Sequence, residues 1–105
     1  MAKILDNILE KIKKYISDLE DNKIHIESAF LFGSYAKGNY SEWSDIDIAL
    51  VSNSFEGIRF NDIEKIRKCK INIDYGISPI PYRLEDFTEE DLFVKEIKET
   101  GIRIV

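Results

Sequence analysis

Residues 45–51 read Asp-Ile-Asp-Ile-Ala-Leu-Val, with a large aliphatic residue at every second position from Ile46. Successive side chains of a strand point to opposite faces, so Ile46, Ile48 and Leu50 share one face and Asp45, Asp47 and Ala49 the other. A strand that is apolar on one side must bury that side under another layer, which commits the chain to a covered sheet. Ile24 to Phe32 has the same period, with Ile24, Ile26, Phe30 and Phe32 in one phase, and reads as a second strand. Residues 3–20 carry Ile4, Leu5, Ile8, Leu9, Ile12, Ile16 and Leu19 at the helical period instead, and form an amphipathic helix able to supply the covering layer.

The remaining segments extend this pattern. Ser34 can cap a short helical turn through Tyr35, Ala36 and Lys37 before Gly38, and residues 39–44 form a polar loop. After a loop from Ser52 to Gly57, Asn61 or Asp62 caps a helix displaying Ile63, Ile66 and Cys69. Lys70 to Ile77 reads as a third strand, with Ile71, Ile73, Tyr75 and Ile77 in one phase and Asn72, Asp74 and Gly76 in the other. Pro79 and Pro81 mark an irregular connection. Thr88 with Asp91 resembles a capping box for a helix showing Leu92, Phe93 and Ile97 and stopping at Gly101. Ile102 to Val105 is a short final strand at a sheet edge. The order is α-β-(short α)-β-α-β-α-β. It predicts an α/β (α+β) fold with a single mixed sheet of about four strands packed against helices.

At 105 residues the chain is read as one domain, 1–105, with a single core. Charges interrupt the first residues, so no signal-peptide organisation is present, and no apolar run is long enough to span a bilayer. A cytoplasmic location is the expectation. A single cysteine, Cys69, excludes an internal disulfide and a multi-thiolate metal centre, and its helical neighbours point to a buried structural thiol. The lone histidine, His25, sits at a strand edge and is read as structural. The formal charge of −5 argues against direct nucleic-acid binding, which needs a basic surface. It does not exclude a nucleotide, provided that divalent cations stand between the acids and the phosphates.

Two places can carry chemistry. Gly33-Ser34, at a strand-to-helix junction, suits a phosphate: glycine permits close backbone approach, and the first amides of the turn lack internal partners. Asp45 and Asp47 fit either the solvated face of an edge strand or a metal site, since aspartate is disfavoured within strands. Asp74, on the polar phase of the third apolar run, favours the metal site if the two strands are neighbours. Three carboxylates could then bind two cations, with Asp74 also placed to accept a proton from an attacking hydroxyl. Lys37 can neutralise phosphate or be a solvated helix-end cation. Tyr35, Tyr40 and Trp43 can stack a base or cap the core edge.

Gly33-Ser34-Tyr35-Ala36-Lys37-Gly38 followed by Ser44-Asp45-Ile46-Asp47 and Ile48-Ala49-Leu50-Val51 resembles the signature of the minimal nucleotidyltransferase (MNT) family, within the DNA polymerase beta-like superfamily. The resemblance implies that Gly33 and Ser34 hold a triphosphate, that Asp45 and Asp47 bind Mg²⁺, and that a later strand supplies a third carboxylate, for which Asp74 is the best match. Many relatives carry arginine where this chain has Tyr35, Lys37 and Ser41. Antibiotic-modifying relatives carry an additional acceptor domain for which this chain leaves no room, so another protein is expected to supply the acceptor. The resemblance extends to MntA-type antitoxins of HEPN/MNT toxin–antitoxin pairs. It implies transfer of AMP from ATP to a tyrosine of a HEPN-domain ribonuclease toxin, with Mg²⁺, two ions in the full site, and ATP as donor. The competing reading is a non-catalytic nucleotide-binding antitoxin that neutralises its partner by complex formation alone.

Overall fold

The computed structural model describes residues 5–69 and 71–105, with the side chain of Asp74 outside that description. The elements run α1 (Asp6–Asp21), β1 (Ser28–Phe32), α2 (Ser34–Lys37), β2 (Ile46–Val51), α3 (Arg59–Arg67), α4 (Ile71–Asp74), β3 (Ile77–Tyr82), a 3₁₀ turn (Leu84–Asp86), α5 (Leu92–Thr100) and β4 (Ile102–Arg103). The strands form one four-stranded sheet in the order β3-β2-β1-β4. β1 is antiparallel to β2 and to β4, whereas β2 and β3 are parallel. The mixed sheet and its covering helices bear out the fold class expected from the sequence.

Each face of the sheet has its own helix layer. Ala29, Leu31, Ile46, Ile48 and Leu50 lie on one face and pack against Ile8, Ile12, Tyr15 and Leu19 of α1 and Ile66 of α3. These four α1 residues follow the three-and-four spacing that puts them on one side of a helix. The other face carries Ala49, Val51 and Tyr82, covered by Val94 and Ile97 of α5 together with Phe87. Burying one large aliphatic side chain contributes about 1.5–3 kcal/mol, so the two layers supply most of the cohesion.

The third strand departs from the sequence reading. Ile71–Asp74 is helical, closed by a Tyr75 N–H donating to the Ile71 carbonyl at 3.0 Å, and the strand runs over Ile77–Tyr82 instead. Asp74 therefore lies at the end of α4, not on a strand. The start of the first predicted helix, residues 3–4, and Lys70 lie outside the described residues.

β3 contains both prolines expected in an irregular connection, and the register explains how. The carbonyls of Gly76 and Tyr82 accept from Ile46 N and Ser52 N, so the even-numbered positions turn their polar groups toward β2. Pro79 and Pro81 fall on the odd phase, where the missing N–H would face the open edge of the sheet. The prolines cost no ladder hydrogen bond and deny the edge to another strand.

Smaller boundaries also shift. β1 starts at Ser28, although Ile24 and Ile26 are still buried ahead of it. α3 starts at Arg59, and the Asp62 carboxylate accepts from Glu56 N at 2.7 Å and Gly57 N at 2.9 Å, which clamps the preceding loop. α5 is capped by the Asp91 side chain, which accepts from Phe93 N and Val94 N, while Thr88 takes part only through its carbonyl, which accepts from Asp91 N at 3.1 Å. The stop at Gly101 holds, because a Cβ there would meet the Leu31 carbonyl oxygen at 2.9 Å. Cys69 is buried as expected, and burial followed by hydrogen bonding with Asp18 pushes its thiol up to about 11.

Ile12→Ala should cost about 2–5 kcal/mol in denaturant unfolding, the range for truncating a fully buried aliphatic side chain. Pro79→Ala should cost less than about 1 kcal/mol, because its nitrogen faces outward.

Candidate active site

The site forms where β1 ends and β2 begins. β1 delivers Phe32, and the chain then turns through Gly33 at φ 74° and ψ −151°, a conformation that side chains rarely permit. Gly33 has a second reason to be glycine. A Cβ at that position would overlap the Asp47 carboxylate, with Asp47 Cγ at 3.2 Å. The turn and the acid are thus in van der Waals contact across the β1–β2 pair, where Phe32 lies opposite Asp47. Ser34 opens α2, whose first amides lack intrahelical acceptors as at any helix start.

Asp45 is exposed just before β2, and Asp47 is half-buried within it. The loop that delivers them is tied down locally. Ser41 N donates to Ser44 Oγ at 2.9 Å, and Ser44 N donates to the Ser41 carbonyl at 3.1 Å. Burial, with the neighbouring Asp45 charge second, raises the pKa of Asp47 above the ordinary carboxylate value. Two acids on one face, one of them desolvated and repelled by the other, leave uncompensated negative charge. A divalent cation would neutralise it, and oxygen donors of this kind suit Mg²⁺. The residues present therefore fit such an ion.

The side chain of Asp74, the expected third carboxylate, lies outside the described residues. Among the described residues no three His, Cys, Asp or Glu side chains come together to hold a metal. The β3 residue in register with Asp47 is Ser78, a position the sequence reading passed over because it began the irregular connection there. The alternating prolines of Ile77-Ser78-Pro79-Ile80-Pro81-Tyr82 are the signal that could have identified an edge strand. The backbone near Asp74 does approach the site: the Gly76 carbonyl accepts from Ile46 N at 3.0 Å, between the two aspartates in sequence.

Lys37 reaches across to α5, where its Nζ lies 3.2 Å from Glu96 Oε1. The pair lines a cavity of about 160 Å³ whose other walls are Phe32, Gly33, Phe93, Ile97 and Thr100. Tyr35 and Tyr40 stack on each other with centroids 4.8 Å apart and planes 14° from parallel. Trp43 is 86% exposed, so it caps no part of the core. A larger cavity, about 390 Å³, lies at the far end of β3 beside Pro81 and Tyr82, away from Ser78. Its Arg83 is engaged by Asp86, with Nε–Oδ2 at 2.7 Å. His25, beside Glu20 at 3.0 Å, precedes the start of β1, whereas the site lies at the end of that strand.

Comparison with known proteins decides what this geometry belongs to. The Nucleotidyltransferase domain family matches residues 9–104. The chain belongs to that family. As a nucleotidyltransferase, it is similar to a Methanocaldococcus jannaschii protein named "Putative protein adenylyltransferase", with 29% identity over 99 residues, covering 92% of this chain and 95% of the relative. A second protein of that name from the same organism is 48% identical over 78 residues, covering 68% of this chain and 77% of the relative. Among solved structures, a Sulfolobus solfataricus protein described as a "putative nucleotidyltransferase" shares the fold, with a TM-score of 0.68 and 22% identity over 92% of this chain and 78% of that one. A toxin–antitoxin structure with AMP-PNP aligns at a TM-score of 0.62 and 25% identity, over 96% of this chain and 73% of that one. Among the described residues, no helix of the nucleotidyltransferase is long and apolar enough to cross a membrane.

The raised pKa of Asp47 gives a signed prediction. A carboxyl whose folded pKa lies above its unfolded value favours folding when protonated, and that contribution is lost as pH rises through the folded value. Metal-free Asp47→Asn should therefore melt higher than the parent at neutral pH. The difference should disappear as pH falls toward 4, about the unfolded carboxylate pKa, in melting curves collected across that range.

Proposed function

We propose that this nucleotidyltransferase is a Mg²⁺-dependent protein adenylyltransferase that moves AMP from ATP to a tyrosine hydroxyl of a HEPN-domain ribonuclease toxin, and so acts as the antitoxin. The observation that supports the reading is the contact between Gly33 and Asp47, which brings a turn suited to a phosphate and an acid suited to a cation together at one end of the sheet. Relatives named as protein adenylyltransferases support the protein acceptor. The aligned toxin–antitoxin structure, with its bound triphosphate analogue, supports both the partner and the donor.

In this reading Gly33 and the opening amides of α2 receive the phosphate tail, with the Ser34 hydroxyl as a further donor. Asp45 and Asp47 hold the cation, which when bound offsets the phosphate charge and stabilises the entering and leaving oxygens. Lys37 exchanges Glu96 for phosphate, a small change because both groups of that pair are half-exposed and solvent-screened. The acceptor oxygen forms a bond to the α-phosphorus, the bond to pyrophosphate breaks, and the hydroxyl proton passes to a base. We assign that base to Asp74. Its support is now the backbone link between Gly76 and Ile46, not the strand placement expected from the sequence. The acidic net charge of −5 fits a site that meets ATP through a cation and a protein through its surface, without direct nucleic-acid binding.

The test mixes the protein with its HEPN partner, Mg²⁺ and ATP labelled at the α-phosphate. The expected outcome is a label and one or more AMP masses on the partner, with both labelling and neutralisation lost in a folded Asp45→Ala/Asp47→Ala variant. Neutralisation by that variant at parental strength, with no added mass from the parent, would establish a binding-only antitoxin instead. Asp74→Asn should keep ATP affinity and lose about 10²-fold or more in turnover, the scale of general-base catalysis. Unchanged turnover would remove Asp74 from the mechanism.

A further inference from the structure

The strand register arranges one row of side chains across the sheet at the site: Phe32, Asp47 and Ser78. Directly paired residues point to the same face, so Asp47 has an aromatic ring on one side and a serine on the other. Ser78 is exposed, whereas the rows further along this face become apolar, with Phe30, Ala49 and Ile80 next and Val51 and Tyr82 beyond. The polar end of the face is therefore short. Ser78 is the β3 side chain beside Asp47, and no acid follows on that strand.

Neighbouring strands lie about 4.8 Å apart, close enough for side chains of directly paired residues to share one cation. The backbone at Ser78 is also constrained, because the residue before a proline is held in extended conformation, and Pro79 follows. The direction of this position is thus set by both the ladder and the proline. What it offers is a neutral hydroxyl.

We propose that Ser78 occupies the third ligand position of the metal site, and that its neutral side chain leaves the cation held by two carboxylates and dependent on the nucleotide for the rest of its coordination. This rests on the assignment of Asp45 and Asp47 as metal ligands. Mg²⁺ keeps several waters and is commonly bound by one or two carboxylates together with substrate phosphates, so a two-acid site takes up the ion as its nucleotide complex. The protein without nucleotide binds divalent cations weakly. Position 78 is accordingly where a single substitution raises intrinsic metal affinity.

Calorimetric titration of the full chain with Mn²⁺, in the absence of nucleotide, tests this directly. Wild type should bind Mn²⁺ weakly, Ser78→Ala should match it, and Ser78→Asp or Ser78→Glu should bind at least tenfold more tightly. The gain should vanish when Asp47→Asn is added. Tight binding of two Mn²⁺ per wild-type chain would overturn the proposal, whether or not the variants fold. So would unchanged affinity in a Ser78→Asp or Ser78→Glu protein with native circular dichroism. If those variants gain nothing while Asp47→Asn still abolishes AMP transfer, only the Ser78 assignment fails. If the gain survives Asp47→Asn, the cation lies elsewhere, and the assignment of Asp45 and Asp47 falls with it.

Discussion

Everything at the active end of this molecule depends on the antiparallel register of β1 on β2, in which Phe32 stands opposite Asp47. That register puts the residue following Phe32 against the Asp47 carboxylate, and only a glycine fits there. A slip of one residue would turn Ile46 and Ile48 away from α1 and carry Asp47 into the apolar layer. The burial of Leu31, Ile48 and Leu50 under Ile12, Tyr15 and Leu19 holds the register in place. The core and the chemistry are therefore coupled. The same pairing that satisfies the hydrophobic face aligns the turn with the acid.

The site is electrostatically unfinished by the protein alone. Asp47 is partly desolvated beside Asp45, and its raised pKa is the signature of a charge that the fold does not neutralise. Lys37, the nearest cationic residue in the Gly33–Gly38 turn, is turned to Glu96. Stability and function pull in opposite directions at Asp47, as they do wherever a binding site stores unpaired charge. A cation and a triphosphate together would discharge that imbalance.

β3 shows a different use of an unfavourable residue type. Two prolines at alternate positions would break a central strand, yet on the outward phase of an edge strand they remove nothing from the ladder. The strand brings Ser78 to the side of Asp47, and it closes that edge of the sheet to chance pairing. Structural protection and site composition are here set by the same six residues.

The periodicities of residues 3–20 and 45–51 made α1, β2 and the apolar sides of both legible in the sequence, because each pattern requires a burial partner whatever lies far away. The Gly33-Ser34 and Asp45/Asp47 motifs were legible for a related reason: their chemistry is local, set by backbone conformation and an i, i+2 spacing. The third strand was not. Ile71, Ile73, Tyr75 and Ile77 alternate as well as any strand, but the segment up to Asp74 folds as a helical turn with Ile71 packed on the core, and the chain pairs with β2 only from Ile77 onward. A short apolar run carries no information about which of two local geometries packs better. Nor does it reveal whether a proline nitrogen will face a neighbour or an open edge. Sequence alone determined the two acids, the glycine turn and the need for a covered sheet. Only tertiary structure decided that Ser78 stands beside Asp47, because cross-strand register is set by packing between segments distant in the chain.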